Sequence, residues 1–149
     1  MSADGASRID LSIPGQPSLL QLVRLTAGVV AARLDLRLDQ IEDLRLAVDE
    51  LCLPFVDGAG PSDRLVVHFA WDDHHIRISC ATSTDASGPR AGDPAGTGGS
   101  SRAGRPPVAG RKELSSQILD ALVDEHGESD EEGRPGAWLL LKRRAAAPG

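Results

Sequence analysis

Glu50 is a carboxylate on a helix that the sequence predicts to be largely buried. From Asp39 to Val56, apolar residues recur at spacings of three and four, the pattern of a helix with one apolar face. At about 100° per residue, Glu50 falls on the opposite side from that face. Such a carboxylate either takes part in chemistry or is held by an arginine or by nearby amides. The apolar face consists of Ile41, Leu44, Val48, Leu51, Cys52 and Phe55.

Pro54 follows Glu50 by one helical turn. Inside a helix, a proline removes the hydrogen bond to the carbonyl four residues earlier and crowds that carbonyl, at a cost on the order of 3 kcal/mol. We therefore expect the helix to kink or to end early near Leu53.

The histidines and cysteines do not form a recognisable reactive site. His74 and His75 fall at a predicted hairpin turn and His68 along a strand, so no set of ligands has the spacing of a metal site. Cys52 and Cys80 are interpreted as buried hydrophobic side chains in a reducing compartment. No serine lies on a strand-to-helix elbow, so the sequence offers no nucleophile with a neighbouring base.

Composition limits the classes of function. The 149 residues include 16 basic and 22 acidic side chains, and the resulting net charge of −6 argues against nucleic acid as a ligand. An acidic surface suits a basic protein partner, but it equally suits plain solubility. No secretory signal and no apolar run long enough to span a bilayer is visible, which predicts a soluble, cytoplasmic protein without membrane contact.

The predicted elements describe one domain over residues 1–149 of the α+β class. Helices pack on one face of a mixed, mostly antiparallel sheet. Residues 82–111 are predicted to form a flexible loop, because they consist almost entirely of Ser, Thr, Gly, Ala, Pro, Asp and Arg and bury too little apolar surface. Residues 145–149 are predicted to form a disordered tail. The elements in order are a strand at Ile9–Ile13, a helix from Ser18 to about Leu34, the helix Asp39–Val56, a hairpin of Leu65–Trp71 and His75–Ala81, a helix from Glu113 to about Glu125, an acidic loop at Asp124–Glu132 and a strand at Ala137–Leu141. The residues predicted to face inward are Leu19, Leu22, Val23, Val30 and Leu34 in the first helix and Leu114, Ile118, Ala121 and Leu122 in the third.

This order of elements, with the run Asp43-Leu-Arg-Leu-Ala-Val-Asp-Glu50, resembles the anti-sigma factor serine kinases of bacterial partner-switching systems. These proteins share the ATPase fold of histidine kinases, gyrase and Hsp90. The resemblance runs from about Ile9 to Lys142, except for the middle loop. It implies a protein that binds and blocks an alternative sigma factor and phosphorylates a serine of its antagonist. It also implies a homodimer joined around the first strand, where Ile9, Leu11 and Ile13 offer an apolar edge.

The nucleotide motifs of that family are only partly present. In the family, a glutamate acts as general base and an asparagine four residues later holds magnesium. Glu50 matches the glutamate, but Pro54 occupies the asparagine position and has no side-chain oxygen for a hard cation. Glu50 is therefore either a residual general base or a structural carboxylate. We favour the structural interpretation, because the partners of the chemistry are absent.

The adenine and phosphate motifs are weaker still. Thr82 occupies the position of the aspartate that reads adenine, although a shifted register using Asp85 would restore part of that motif. The phosphate-binding glycines correspond to Glu113 and Ser115, and a carboxylate there would repel phosphate. Gly136 survives from the Gly-Thr pair that begins the last strand. The resemblance thus implies a vestigial nucleotide site at Glu50, Thr82 and Gly136.

We predict an anti-sigma factor without a cofactor, which sequesters an alternative sigma factor and is released by an anti-sigma factor antagonist. The alternative is an active serine protein kinase that uses ATP and magnesium to phosphorylate its antagonist. A third interpretation, a regulator with another target such as an antagonist-only adaptor, also stays open.

Overall fold

The computed structural model describes residues 7–84, 109–131 and 134–144. Five strands form one sheet in the order β1-β2-β3-β5-β4, and all four pairs of neighbouring strands are antiparallel. The elements are β1 (Ser7–Pro14), a short 3-10 turn (Pro17–Leu19), α1 (Leu20–Arg33), α2 (Leu38–Asp57), β2 (Asp63–Trp71), β3 (His75–Thr84), α3 (Ala109–Leu122), β4 (Glu125–Glu131) and β5 (Arg134–Lys142).

The predicted α+β class is confirmed, and the three helices pack on one face of the sheet. Alternation along the strands determines which face is covered, because successive side chains point to opposite sides. In the central parts of β2 and β3 every second side chain is at most 2% exposed. These side chains meet the buried faces of the helices and form one continuous core. The buried strand residues are Leu65, Val67, Phe69, Ile76, Ile78 and Cys80.

The segment predicted as an acidic loop at Asp124–Glu132 is mostly a strand, so that prediction was wrong. β4 pairs with β5 from Glu125 opposite Leu140 to Glu131 opposite Arg134. Acidic residues have low strand propensity, but pairing with an apolar neighbour satisfies the backbone and outweighs that preference. β4 lies at the end of the strand order, where charged side chains are common.

α2 continues through Pro54 to Asp57, so the early end expected near Leu53 was wrong. Leu51, Cys52 and Val56 are each at most 4% exposed, and this burial on both sides of the proline holds the last turns in place. The Gly58 N–H donates to the Pro54 carbonyl at 3.3 Å, which closes the helix end.

The buried face of α3 is turned by about one residue from the predicted one. Leu114 and Ala121 were expected to face inward, but both are exposed, and Leu114 is 58% exposed. Ser115, Leu119 and Val123 are buried instead. The predicted face followed the large apolar residues, whereas in the structure a serine points toward α2.

The loop and tail predictions fall largely outside the described residues. β3 extends to Thr84 and α3 begins at Ala109, so both elements reach into the predicted loop of 82–111. Residues 85–108 and the predicted tail of 145–149 lie outside the described ranges. Among the helices that are described, none has the length and apolar character needed to cross a membrane.

Asp72 stabilises the predicted turn of the β2–β3 hairpin. Its Oδ1 accepts hydrogen bonds from the backbone N–H groups of His74 at 2.7 Å and His75 at 3.0 Å. The first of these bonds is the main reason that the pKa of Asp72 lies below its usual range.

Replacement of this carboxylate should lower stability in a pH-dependent way. We expect Asp72→Ala to reduce the free energy of unfolding by about 1 kcal/mol at neutral pH. Because the folded-state pKa is lowered, this contribution is present above the unfolded pKa and is lost as the pH falls through the folded pKa. Urea unfolding of both proteins at neutral and at acidic pH measures the difference. Asp73→Ala, one residue along the same turn, is the control, and a loss that persists unchanged in acid would contradict this role.

Candidate functional site

Glu50 is half-buried on α2, and its partner is a serine hydroxyl from α3. Ser115 Oγ donates to Glu50 Oε2 at 2.9 Å. Ser115 is only 7% exposed, so this hydrogen bond lies within the contact between the two helices. The expected partner was an arginine or nearby amides. Ser115 occupies one of the positions where the family resemblance would have placed a phosphate-binding glycine.

Pro54 lies one turn beyond Glu50 and is half-buried within the same helix. Its ring offers no oxygen, whereas magnesium binds almost entirely through oxygen ligands in octahedral geometry. Within the described ranges, no group of three or more His, Cys, Asp or Glu side chains is arranged to hold a metal ion.

Thr82 and Gly136 lie close together at one end of the sheet. Ala81, next to Thr82, is paired with Gly136 across β3 and β5. Thr82 alternates onto the same face of β3 as Cys80, and the Cys80 thiol donates to the Leu51 carbonyl of α2 at 3.4 Å. Thr82 and Gly136 therefore lie on neighbouring strands, but Thr82 is on the face that α2 covers, whereas Gly136 shares the opposite face with Ala81.

Gly136 also has a packing role. A Cβ added at this position would lie 2.7 Å from Ser129 Oγ and 3.0 Å from the Cys80 carbonyl oxygen. Both distances are shorter than ordinary van der Waals contact, so a side chain would push apart β3, β4 and β5. The close packing of the strands therefore accounts for this glycine without a nucleotide.

Asp49, next to Glu50, joins α2 to α1. The Arg24 Nε lies 3.0 Å from Asp49 Oδ1. Partial burial is the main cause that raises the pKa of Asp49; Glu50 also raises it, and Arg24 opposes the shift. This ion pair was not predicted, because its two residues lie on separate helices and have no fixed spacing in the sequence.

The two cysteines are free and buried, as expected, but they are neighbours. Cys52 is 0% exposed and Cys80 is 2% exposed. Burial raises the pKa of the Cys80 thiol well above its usual range, and its hydrogen bond with Cys52 adds to the rise. A buried, protonated thiol is a poor nucleophile, so this pair belongs to the core.

α1 carries an exposed apolar stripe that was not predicted from the sequence. Leu22, Leu25 and Val29 are 44%, 54% and 56% exposed, and Ala32 continues the same spacing of three and four. Leu22 was expected on the inner side and is not. We call these four residues the α1 stripe. The sequence feature that indicates this stripe is that α1 has apolar residues on more than one side, as expected for a helix that also contacts another protein.

Comparison with known proteins finds relatives of the kind that the order of elements resembles. No protein-family model matches the sequence. The chain is 38% identical to the serine-protein kinase RsbW of Bacillus subtilis over 86 residues, which is 56% of this chain and 54% of that protein. It is 34% identical to the anti-sigma-F factor RsbW of Mycobacterium tuberculosis over 82 residues, or 54% and 49% of the two chains.

The chain thus spans about half the length of the curated relatives it matches. A third protein, the serine-protein kinase RsbW of Bacillus velezensis, is 43% identical over 51 residues, or 34% of this chain and 32% of that protein. These proteins differ in whether their names describe a kinase or an anti-sigma factor. Together with the three helices on an antiparallel five-stranded sheet, these matches show that the chain is similar to members of the anti-sigma factor serine kinase family.

Proposed function

We propose that the chain is an anti-sigma factor that sequesters an alternative sigma factor and is released by an anti-sigma factor antagonist. The observation that carries this proposal is the surroundings of the Glu50 carboxylate. Its carboxylate accepts the Ser115 hydrogen bond, and a proline stands where a magnesium ligand would be needed. The name anti-sigma-F factor, borne by the Mycobacterium tuberculosis relative, supports the same function.

The charges near Glu50 do not suit a triphosphate. Asp49 is its neighbour in sequence, and Glu113 is exposed in the first half of α3. Phosphoryl transfer depends on metal ions and cationic groups that neutralise developing negative charge. A nucleotide entering here would have to break the Ser115–Glu50 hydrogen bond and place phosphates among carboxylates. We infer that a magnesium nucleotide does not fit these residues.

The α1 stripe is the surface that we assign to the sigma factor. Large apolar side chains that are about half exposed on one helix face are typical of sites that bind protein. The charged residues of α1 are Arg24 and Arg33, so the helix contains no acidic side chain. A sigma-factor segment with apolar and acidic residues would suit this helix.

A homodimer joined around β1 stays a proposal, and its expected apolar edge is less available than predicted. Ile13 is only 4% exposed, and Ile9 and Leu11 are partly buried against the core. They share the face of the sheet that the helices cover. Dimerisation at β1 would therefore depend on its backbone edge more than on these side chains.

The alternative function is an ATP-dependent serine protein kinase. It is favoured by the name of the Bacillus subtilis relative, serine-protein kinase RsbW, and by the presence of Glu50 at the general-base position. This alternative requires Glu50 to exchange Ser115 for a substrate hydroxyl.

Glu50→Ala tests whether inhibition of the sigma factor is independent of the candidate nucleotide site. If the chain works by binding alone, we expect this variant to inhibit sigma-dependent transcription in vitro as strongly as the unmodified protein. The reason is that Glu50 belongs to α2 and contacts α3, so it is not part of the α1 stripe. Transcription with purified polymerase and each sigma factor encoded in the same genome measures the inhibition. Inhibition of none of them by the unmodified chain would disprove the proposed function.

A further inference from the structure

The face of the sheet opposite the helices has an apolar centre. In β2, β3 and β5 the side chains that alternate away from the helices include several apolar ones, all half-buried. Antiparallel sheets with one solvated face usually alternate apolar residues inward with polar residues outward. The three central strands depart from that pattern. We call this surface the open sheet face, and its apolar residues are Val66, Ala70, Ala81, Trp138 and Leu140.

The outer strands surround this centre with polar side chains. Arg8, Asp10 and Ser12 of β1 share the same face as Val66 and Ala70, their partners or neighbours across the β1–β2 pairing. On the other side, β4 contributes Glu125 opposite Leu140. An apolar centre with a polar rim is the usual anatomy of a protein–protein interface.

The open sheet face is also cationic within a chain whose net charge is −6. The Arg77 guanidinium lies 4.6 Å from the centroid of the Trp138 ring. Arg64 lies on the same face and donates to Ser12 Oγ at 2.9 Å. The carboxylate of Asp10 is engaged by Arg8 at 2.7 Å and by His68 at 2.6 Å. Arg64 and Arg77 therefore determine the charge over the apolar centre.

We propose that the open sheet face binds an acidic amphipathic helix of a partner protein. Its apolar side would pack on Val66, Ala81 and Leu140, and its carboxylates would reach Arg64 and Arg77. Helix-on-sheet packing is the arrangement that already covers the other face. The cationic character of the open sheet face favours an acidic helix over a second copy of this chain, because two copies packed face to face would bring two cationic surfaces together. α1 packs on the opposite side of the sheet, so this surface is separate from the α1 stripe.

The test uses two synthetic helical peptides with the same apolar positions, one carrying glutamate and the other lysine at the remaining positions. Affinity is measured by fluorescence anisotropy of labelled peptide. The location of binding is read in the Trp71→Phe protein, where Trp138 is the remaining one of the two tryptophans. We expect saturable binding of the glutamate peptide with a change in Trp138 emission, and much weaker binding of the lysine peptide.

Two matched charge reversals complete the test. Arg77→Glu, on the open sheet face, should lower the affinity for the glutamate peptide by about tenfold or more. Arg45→Glu, an exposed arginine of α2 on the helix side, should leave its affinity unchanged. Equal binding of both peptides, no binding of either, or equal effects of the two variants would overturn the proposal. A concentration-dependent dimer that Leu140→Glu abolishes in sedimentation velocity would also overturn it, because the open sheet face would then be a dimer interface.

Discussion

Leu25→Glu is expected to weaken the complex with the sigma factor by about 30-fold or more, the effect of losing a central interface residue. Leu25 is 54% exposed and lies between Leu22 and Val29 on the α1 stripe. A glutamate there would have to lose its hydration when the partner covers the stripe, without a cation to compensate. Because the side chain already faces solvent, the free protein should keep its fold. Isothermal titration calorimetry with the purified sigma factor measures the change.

Leu38→Glu is the matched control for this prediction. Leu38 is 71% exposed at the start of α2, so the same change of residue type is made outside the α1 stripe. We expect its affinity for the sigma factor to equal that of the unmodified protein. If Leu25→Glu binds as tightly as Leu38→Glu while both remain folded, the sigma factor does not use the α1 stripe.

Gly136→Ala is expected to lower the free energy of unfolding by about 2 kcal/mol, within the range for overpacking a well-packed site. The new Cβ would lie 2.7 Å from Ser129 Oγ, which can rotate away, and 3.0 Å from the Cys80 carbonyl, which belongs to the backbone. The strands must therefore shift. Chemical denaturation monitored by circular dichroism measures the loss.

Gly60→Ala serves as the comparison for Gly136→Ala. The nearest atom to a Cβ at position 60 is Asp63 Oδ2 at 3.4 Å, an ordinary contact. We expect its free energy of unfolding to change by less than about 0.5 kcal/mol. A Gly136→Ala protein as stable as Gly60→Ala would show that packing does not account for the glycine, and would favour a role for it in ligand binding.

The elements with strong periodicity could be predicted from the sequence. The buried positions Leu44, Val48 and Leu51 of α2 repeat at spacings of three and four, and the covered face of β2 repeats at a spacing of two. These local patterns report burial directly, because one face of each element enters the core. The α+β class then follows from the order of the elements.

The failures share one physical cause: tertiary contacts outweighed local preference. β4 is a strand because β5 supplies its hydrogen-bonding partner, and nothing in the acidic segment from Glu125 to Glu131 signals this. α3 turns Ser115 inward and leaves Leu114 exposed, a choice that depends on Glu50 of another helix. α2 passes Pro54 because burial of Leu51 and Val56 stabilises the turns on both sides.

The candidate nucleotide site at Glu50, Thr82 and Gly136 stays a prediction from motif positions. The structure places Thr82 and Gly136 on the neighbouring strands β3 and β5. The Ser115–Glu50 hydrogen bond was not predicted, because its two residues are 65 positions apart in the sequence. A contact between distant polar residues has no local signature, so only the folded chain reveals it.

A magnesium-ATP titration of the purified protein tests the central claim most directly, namely that this chain has kept the fold of a kinase and acts by binding alone. Isothermal titration calorimetry should show no binding of magnesium-ATP to a sample that binds and inhibits its sigma factor. Pro54 and the Ser115–Glu50 hydrogen bond are the reasons for that expectation. Saturable binding in the micromolar range that disappears in Glu50→Ala would contradict the claim and favour the kinase.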